Sequence, residues 1–206
     1  MKYYFPKAVR CLTIAVILLV LVGAFSACKS GASTTPPTTP SVEWIPDGVI
    51  TNGEYSNSAS LGNNEMTVAW RTDSQYIYIG MSAPTLGWIS IGLIPSTGSQ
   101  KQGADMMFGY VKSDGTTMVY DLYNTGPLGP HTNDTNLGGT FDILDNGGKE
   151  ANGITTVEFK RKLNTGDQYD LPFNHGTNHL IWAIGRVDEV TATTHYARGY
   201  ADISIS

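Results

Sequence analysis

Four histidines supply the side chains of this 206-residue chain that are best suited to bind a metal ion. They are His131, His175, His179 and His195. A neutral imidazole is a common metal ligand, and its charge changes near physiological pH. A lone histidine is more often a hydrogen-bonded structural residue, so residue type alone does not select one of the four.

Aspartate oxygens are a second source of metal ligands. Asp134, Asp142 and Asp145 occur close together in a polar, glycine-containing stretch, and Ca²⁺ takes its ligands from carboxylate and loop oxygens. Aspartate is also common in turns, where its side chain accepts hydrogen bonds from nearby backbone N–H groups. A calcium site and ordinary turn chemistry are therefore both open interpretations of these three residues.

Motifs of the common catalytic sites are absent from the sequence. No glycine-rich phosphate loop, HExxH pair or CxxC pair occurs, although these motifs carry the best-known phosphate and metal chemistries. The stretch Gly87-Trp-Ile-Ser-Ile-Gly92 contains a serine but lacks the Gly-x-Ser-x-Gly spacing of a nucleophile elbow. The sequence therefore does not predict an enzyme.

The elements that must position these side chains are predicted to be short β-strands. Apolar and polar residues alternate, most strongly in Gln75-Tyr-Ile-Tyr-Ile-Gly-Met81, and turn residues separate the runs. Asp114-Gly115 predicts a tight turn between two strands. The predicted strands cover residues 66–70, 75–81, 88–94, 106–112, 117–123, 155–162, 179–187 and 200–205. Many short strands without an amphipathic helix predict a sandwich or a barrel.

Three motifs give the chain a resemblance to a known family. They are Leu86-Gly-Trp-Ile-Ser-Ile-Gly-Leu93, Gly103-Ala-Asp-Met-Met-Phe-Gly-Tyr-Val111 and Thr194-His-Tyr-Ala-Arg-Gly199. With these motifs the chain resembles the DOMON domain over nearly all of its length after residue 43. The resemblance implies an all-β fold, an immunoglobulin-like antiparallel β-sandwich covering residues 43–206. It also implies one of two functions, electron transfer by haem b or binding of a sugar or another small ligand.

The same resemblance implies axial ligands for a haem iron. In haem-binding members, a methionine just before the Ala-Asp of the fourth strand and a histidine near the C-terminal strand hold the iron. His195 stands at the histidine position and Lys101 at the methionine position. A neutral lysine amine can ligate iron once burial has lowered its pKa. Met106 and Met107 are further candidates, since strand alternation points one of the two inward. The expected cofactor is haem b, with His195 and one of these three residues on its iron.

Aromatic residues support the alternative, non-redox function. The chain has four tryptophans and eleven tyrosines, and flat apolar side chains of this kind line many ligand sites. Aromatic residues also dominate the cores of sandwiches, and Trp88 in particular is expected to be buried. The tryptophans are therefore candidates either for stacking on a saccharide or for core packing, and they are Trp44, Trp70, Trp88 and Trp182.

The glycine-rich segment 126–152 is poorly periodic, which predicts a long loop, and long loops in compact domains are usually functional. Glycine lacks a Cβ, so the backbone around Gly129 and Gly138 can approach a ligand closely. The resemblance implies that loops of this kind lie at one end of the sandwich, near His195. Residues 127–150 are therefore predicted to form part of the rim of the ligand pocket, with His131 partly exposed.

The first 28 residues have the pattern of an export signal. Lys2, Lys7 and Arg10 precede an apolar run over residues 11–25, which is shorter than the ~20 residues of a membrane-spanning helix. Small residues before Cys28 resemble a lipobox, which predicts removal of residues 1–27 and lipidation of Cys28 in a bacterial or archaeal lipoprotein. The alternative is ordinary cleavage after Ser26.

The segment that follows, residues 28–42, is rich in serine, threonine and proline. Such a composition favours extended, solvated backbone, which predicts a linker between a lipid anchor and the folded domain. The net charge is −5 and no basic stripe occurs, so nucleic acid is not an expected partner. The sequence predicts a module of the cell envelope that faces outside the cytoplasm. Its expected partners are the membrane, through the anchor, and a redox protein or a small ligand.

Overall fold

A computed structural model describes residues 42–95, 101–190 and 194–206. The predicted export signal, the lipidation site Cys28 and nearly all of the predicted linker lie outside these residues. Within them, no helix is long and apolar enough to cross a membrane.

Eleven β-strands form two antiparallel sheets in the described part of the chain. The strands are β1 (Asn57–Leu61), β2 (Met66–Thr72), β3 (Tyr76–Ala83), β4 (Ile89–Leu93), β5 (Asp105–Val111), β6 (Thr117–Asn124), β7 (His131–Asn133), β8 (Asp145–Ala151), β9 (Ile154–Lys162), β10 (Gly176–Gly185) and β11 (His195–Ile205). One helical turn, α1 (Asp134–Leu137), follows β7. The strand order is β1-β2-β3-β9-β8 in one sheet and β11-β10-β4-β5-β6-β7 in the other. This architecture confirms the prediction of an all-β antiparallel sandwich.

The core lies between the two sheets and follows from the alternation of side chains along each strand. Ile91, Met107 and Leu180 point inward from the six-stranded sheet and meet Val157 and Phe159 of the other sheet, and all five are essentially fully buried. Successive residues of a strand face opposite sides of its sheet, so the intervening residues of β4, β5 and β10 point away from this core. Those residues form the outer face on which the site is built.

The predicted strands all occur, with shifts at their ends. The largest shift concerns the last strand, since β11 begins at His195, five residues before the predicted start at residue 200. Trp88 is buried, as predicted, with 3% of its surface exposed, but it immediately precedes β4 instead of being the first residue of that strand. The polar edge strand β1 was not predicted, because the sequence NSASL offers only one strongly apolar residue.

The prediction of a single long loop over residues 126–152 is wrong. The segment contains β7, α1 and β8. β8 has no apolar alternation because it is an edge strand and most of its side chains are exposed or half-buried. A side chain at Gly147 would overlap the carbonyl oxygen of Pro46, so packing, and not loop flexibility, accounts for glycine at this position.

The predicted Asp-Gly turn joins β5 to β6 and supports a first testable expectation. The Gly115 N–H donates to the carbonyl oxygen of Lys112 at 2.8 Å, and the φ angle of Gly115 is 86°. An alanine in this left-handed conformation is strained, so Gly115→Ala should lower the free energy of unfolding by roughly 1–2 kcal/mol. Urea denaturation measures the loss. Ser113→Ala in the same turn is the control, and equal stability of the two variants would contradict the expectation.

Candidate functional site

A second apolar cluster covers the outer face of the six-stranded sheet. It consists of the residues that alternate with the core residues on β4, β5, β6 and β10, together with their neighbours. Its buried members are Trp88, Ala104, Met106, Phe108, Tyr110, Leu122 and Ile181. An apolar cluster on the solvent side of a sheet requires a cover or a ligand, because large exposed apolar patches are rare on soluble proteins.

Two adjoining cavities of about 430 and 710 Å³ lie over this cluster. Both volumes fall within the range of roughly 300–1,000 Å³ that is usual for small-molecule and cofactor sites. The residues that line both cavities are Trp88, Lys101, Phe108, Leu128, His131, His195 and Arg198. The walls are therefore mainly apolar and aromatic, while all the titratable side chains shared by the two cavities are bases.

The two histidines of the site come from the two edge strands of the six-stranded sheet. His131 is the first residue of β7 and His195 the first residue of β11, and these strands end the sheet on opposite sides. The predicted rim segment 127–150 is confirmed only in its first part, since residues 127–133 and 136 line the cavities beside His195 and residues 137–150 line neither. His131 is partly exposed, as predicted. His175 and His179 are exposed on another part of the sheet and line neither cavity.

Asn124, the last residue of β6, holds the segments on either side of the cavities in place. Its side-chain Nδ2 donates to the carbonyl oxygen of Lys101 at 2.7 Å and to that of Gly126 at 3.1 Å. Its backbone lies in register with His131 on β7. One buried amide therefore fixes the backbone that carries Lys101 relative to the strand that carries His131.

His195 is half-buried beside a permanent positive charge. Nη1 of Arg198 lies 3.2 Å from Nε2 of His195. Burial lowers the pKa of the His195 imidazole, and the charge of Arg198 lowers this pKa further. Both effects favour the neutral imidazole, which is the form that binds metals.

Lys101 and His131 experience a similar environment. Burial and the charge of Arg198 lower the pKa of the Lys101 amine. Burial, followed by the charges of Lys101 and His195, lowers the pKa of the His131 imidazole. The ring of His131 stands 5.2 Å from the ring of Phe108, measured between centroids. The basic groups of this site therefore destabilise each other's charged forms.

The two candidate methionines lie on opposite faces of β5. Met106 belongs to the outer cluster and lines the first cavity. Met107 points into the core, where its Sδ accepts a hydrogen bond from the Arg161 guanidinium at 3.4 Å. The structure thus brings His195, Lys101 and Met106 together around the cavity, and it does not bring Met107 there.

Buried polar atoms without partners surround the first cavity. Four of its lining residues each carry one buried nitrogen or oxygen atom that has no hydrogen-bond partner among the described residues. These atoms are Nε1 of Trp88, Oγ of Ser90, Nδ1 of His131 and Nε1 of Trp182. Buried polar groups normally have partners, but the Nε1 atoms of Trp88 and Trp182 pack against Gly185 and Gly199, so these buried atoms do not by themselves identify a ligand.

A buried charged cluster inside the sandwich was not predicted from the sequence. Nη1 of Arg161 lies 2.8 Å from Oδ2 of Asp105, and Nη2 lies 3.3 Å from Oδ2 of Asp170. Asp105, Asp121 and Asp170 each place one carboxylate oxygen within 4.8 Å of the others, an arrangement that could also hold a hard cation. The sequence did contain an indication of this cluster, because the alternation of side chains along β9 places Arg161 on the same inward face as Val157 and Phe159.

The three aspartates considered as calcium ligands do not come together as one group. Asp134 is buried near the charged cluster, and neither of its carboxylate oxygens has a hydrogen-bond partner in the described residues. The backbone N–H of Asp142 donates to Oδ2 of Asp121 at 2.7 Å. Asp145 is exposed at the start of β8, opposite Lys160 of β9. The three carboxylates that do lie close together in this structure belong instead to β5, β6 and the loop before β10.

The tryptophans serve mainly as packing residues. Trp70 and Trp182 belong to the core, and Trp88 belongs to the outer cluster. Trp44 donates a hydrogen bond from Nε1 to the Tyr55 hydroxyl at 2.8 Å. Trp88 and Trp182 nevertheless border the first cavity, although the Nε1 edge of each ring packs against a glycine.

Comparisons with known proteins agree with this fold. Residues 62–185 match the family model described as the DOMON domain. Over 120 residues the chain is 31% identical to MOXD1 homolog 1 of Drosophila melanogaster, and the aligned part is 55% of this chain but only 16% of that relative. The cytochrome b domain of pyranose dehydrogenase from Coprinopsis cinerea is similar in structure, with a TM-score of 0.52 and 16% sequence identity. That similarity covers 72% of this chain and 80% of the other.

Proposed function

Because the chain belongs to the DOMON domain family, we propose that it binds haem b in the cavities on the outer face of its six-stranded sheet. The observation that carries the proposal is the gathering of His195, Lys101 and Met106 around a cavity whose walls are mainly apolar. A cytochrome b domain with a similar fold supports the same cofactor class. Haem b would supply one-electron transfer.

The lining residues fit the chemistry of this cofactor. His195 would offer a neutral imidazole to the haem iron, and Lys101 or Met106 would offer an amine or a thioether as its second protein ligand. Apolar side chains such as Phe108 and Ile181 suit the face of a large conjugated ring. The guanidinium of Arg198, which lines both cavities, suits a carboxylate group of the cofactor.

The proposed setting is outside the cytoplasm, with the domain tethered through lipidated Cys28 and the linker of residues 28–42. The basic residues and short apolar run at the start of the sequence support export. In this setting the domain acts as an electron-transfer module for a redox partner protein and carries out no catalysis of its own.

A second function, binding of a saccharide or another small ligand without redox chemistry, is favoured by one observation. Tyr200 lines the first cavity with 63% of its surface exposed, close in sequence to Arg198. An exposed aromatic ring beside a cationic hydrogen-bond donor is suited to stacking on a sugar. A change of tryptophan fluorescence on addition of a glycan, together with no binding of haemin, would favour this alternative.

Titration of the purified protein with haemin tests the proposed function. We expect saturable binding and, on reduction, the sharp α and β absorption bands of a low-spin b-type cytochrome. His195→Ala should remove these bands because it removes an axial ligand. His175→Ala is the matched control, since His175 is exposed and lines neither cavity. A spectrum that stays that of free haemin, or one that His195→Ala leaves unchanged, would refute the proposal.

A further inference from the structure

We propose that His131 is the second axial ligand, so that two imidazoles, those of His131 and His195, hold the iron. This inference rests on the proposed function and deepens it, because it assigns the second iron ligand to a residue outside the three sequence motifs.

The topology brings these two side chains to the same cavities from opposite directions. β7 and β11 are separated by the whole width of the six-stranded sheet, which in a flat sheet would be about 24 Å. His131 and His195 nevertheless line the same two cavities. The first residues of the two edge strands therefore border the same cavities, so one ligand in these cavities could contact both imidazoles.

The position of the His131 ring is not explained by a hydrogen bond at Nδ1. Nδ1 of its ring is buried without a hydrogen-bond partner, whereas buried polar atoms are normally paired. Its ring packs beside Phe108 and is carried by a strand whose register with β6 is fixed at Asn124. Because Nδ1 is buried, Nε2 is the ring nitrogen of His131 that would bind the iron. The lowered pKa of His131 is consistent with this interpretation.

The surroundings of Met106 and Lys101 make them weaker competitors. Met106 is 3% exposed, and its sulfur lies against Gly92, where an added Cβ would clash with it. The thioether is thus packed on the backbone of β4. Lys101 must lose a proton before its amine can bind iron, and an ammonium group is strongly favoured in water. A neutral imidazole binds without this step, which leaves Lys101 and Arg198 as cations for the carboxylates of the ligand.

The spectrum of the haemin complex distinguishes the ligand pairs. We expect the wild-type protein to be low-spin and to lack the far-red charge-transfer band of a thioether ligand. His131→Ala should convert the oxidised complex to a high-spin spectrum, and added imidazole should restore the low-spin spectrum. His131→Met should introduce the thioether band and raise the reduction potential, since a His/Met pair has a higher potential. Circular dichroism verifies that the variants are folded, and His175→Ala should match the wild type.

Two results would overturn the inference while leaving the proposed function intact. One is a thioether band in the wild-type complex, and the other is a wild-type spectrum in His131→Ala together with loss of the low-spin bands in His195→Ala. Failure of the wild-type protein to bind haemin would refute both proposals. The two failures are therefore distinguishable in a single set of spectra.

Discussion

Replacement of Arg161 by methionine should lower the free energy of unfolding by about 3–5 kcal/mol. The Arg161 side chain has no exposed surface, and it forms ion pairs with Asp105 at 2.8 Å and with Asp170 at 3.3 Å. Methionine fills a similar volume but leaves buried carboxylates without their cation. Removal of one partner of a buried ion pair is far more destabilising than replacement of the whole pair, because the remaining charge stays desolvated.

Urea denaturation at neutral pH measures this effect. Lys162→Met is the matched control, since Lys162 is exposed at the end of the same strand. The double variant Arg161→Met with Asp105→Asn should recover part of the loss, because it removes one of the abandoned charges. A loss in Arg161→Met no larger than that of Lys162→Met would contradict the expectation.

Stability should fall by at least about 2 kcal/mol between pH 5 and pH 9. Burial, and then the charge of Asp121, raise the pKa of Asp134 to about 8. Burial, and then the charge of Asp170, raise the pKa of Asp121 to about 7. In the unfolded chain an aspartate titrates near pH ~3.9. The folded state therefore binds more protons, and the stabilisation that is complete below the unfolded pKa is lost as pH rises through 7 and 8.

Asp134→Asn tests this origin of the pH dependence. The amide cannot ionise, so the variant should be more stable than the wild type at pH 9 by roughly 1–2 kcal/mol, with a smaller slope between pH 5 and pH 9. The measurements include a chelator, which keeps cations from neutralising the carboxylates. Asp114→Asn is the control, because Asp114 is exposed and its lowered pKa keeps it ionised throughout. Wild-type stability that rises with pH would contradict the expectation.

The strands with strong alternation could be predicted because their pattern is local. In β3 and β9 the apolar residues at every second position report directly which side faces the core. The edge strands β1 and β8 could not be predicted in this way. β8 is held by backbone pairing to β9 and by the fit of Gly147 against Pro46, and neither contact leaves a periodic trace in the sequence.

The site was predictable only where a motif marked it. His195 and Lys101 were proposed from their motif positions, and the structure gathers them at one cavity. Whether Met106 or Met107 faces that cavity depends on which side of β5 the core lies, which alternation alone leaves open. The pairing of Asp105 with Arg161 joins residues 56 positions apart. Both residues stand at positions of their strands that alternate with outward-facing residues, so the sequence could indicate that both face the core. Only the packing of the two sheets determines that they meet.

The separation of the cavity from the core has an evolutionary consequence. The cavity walls belong to the outer cluster, and of the described lining residues only Trp182 also belongs to the core cluster between the sheets. Natural proteins tolerate substitutions that keep them above a stability threshold. Since the sandwich is held by a different set of side chains, the lining can diverge while the fold stays above that threshold. The ligand that this scaffold binds can therefore change during evolution while the fold is kept.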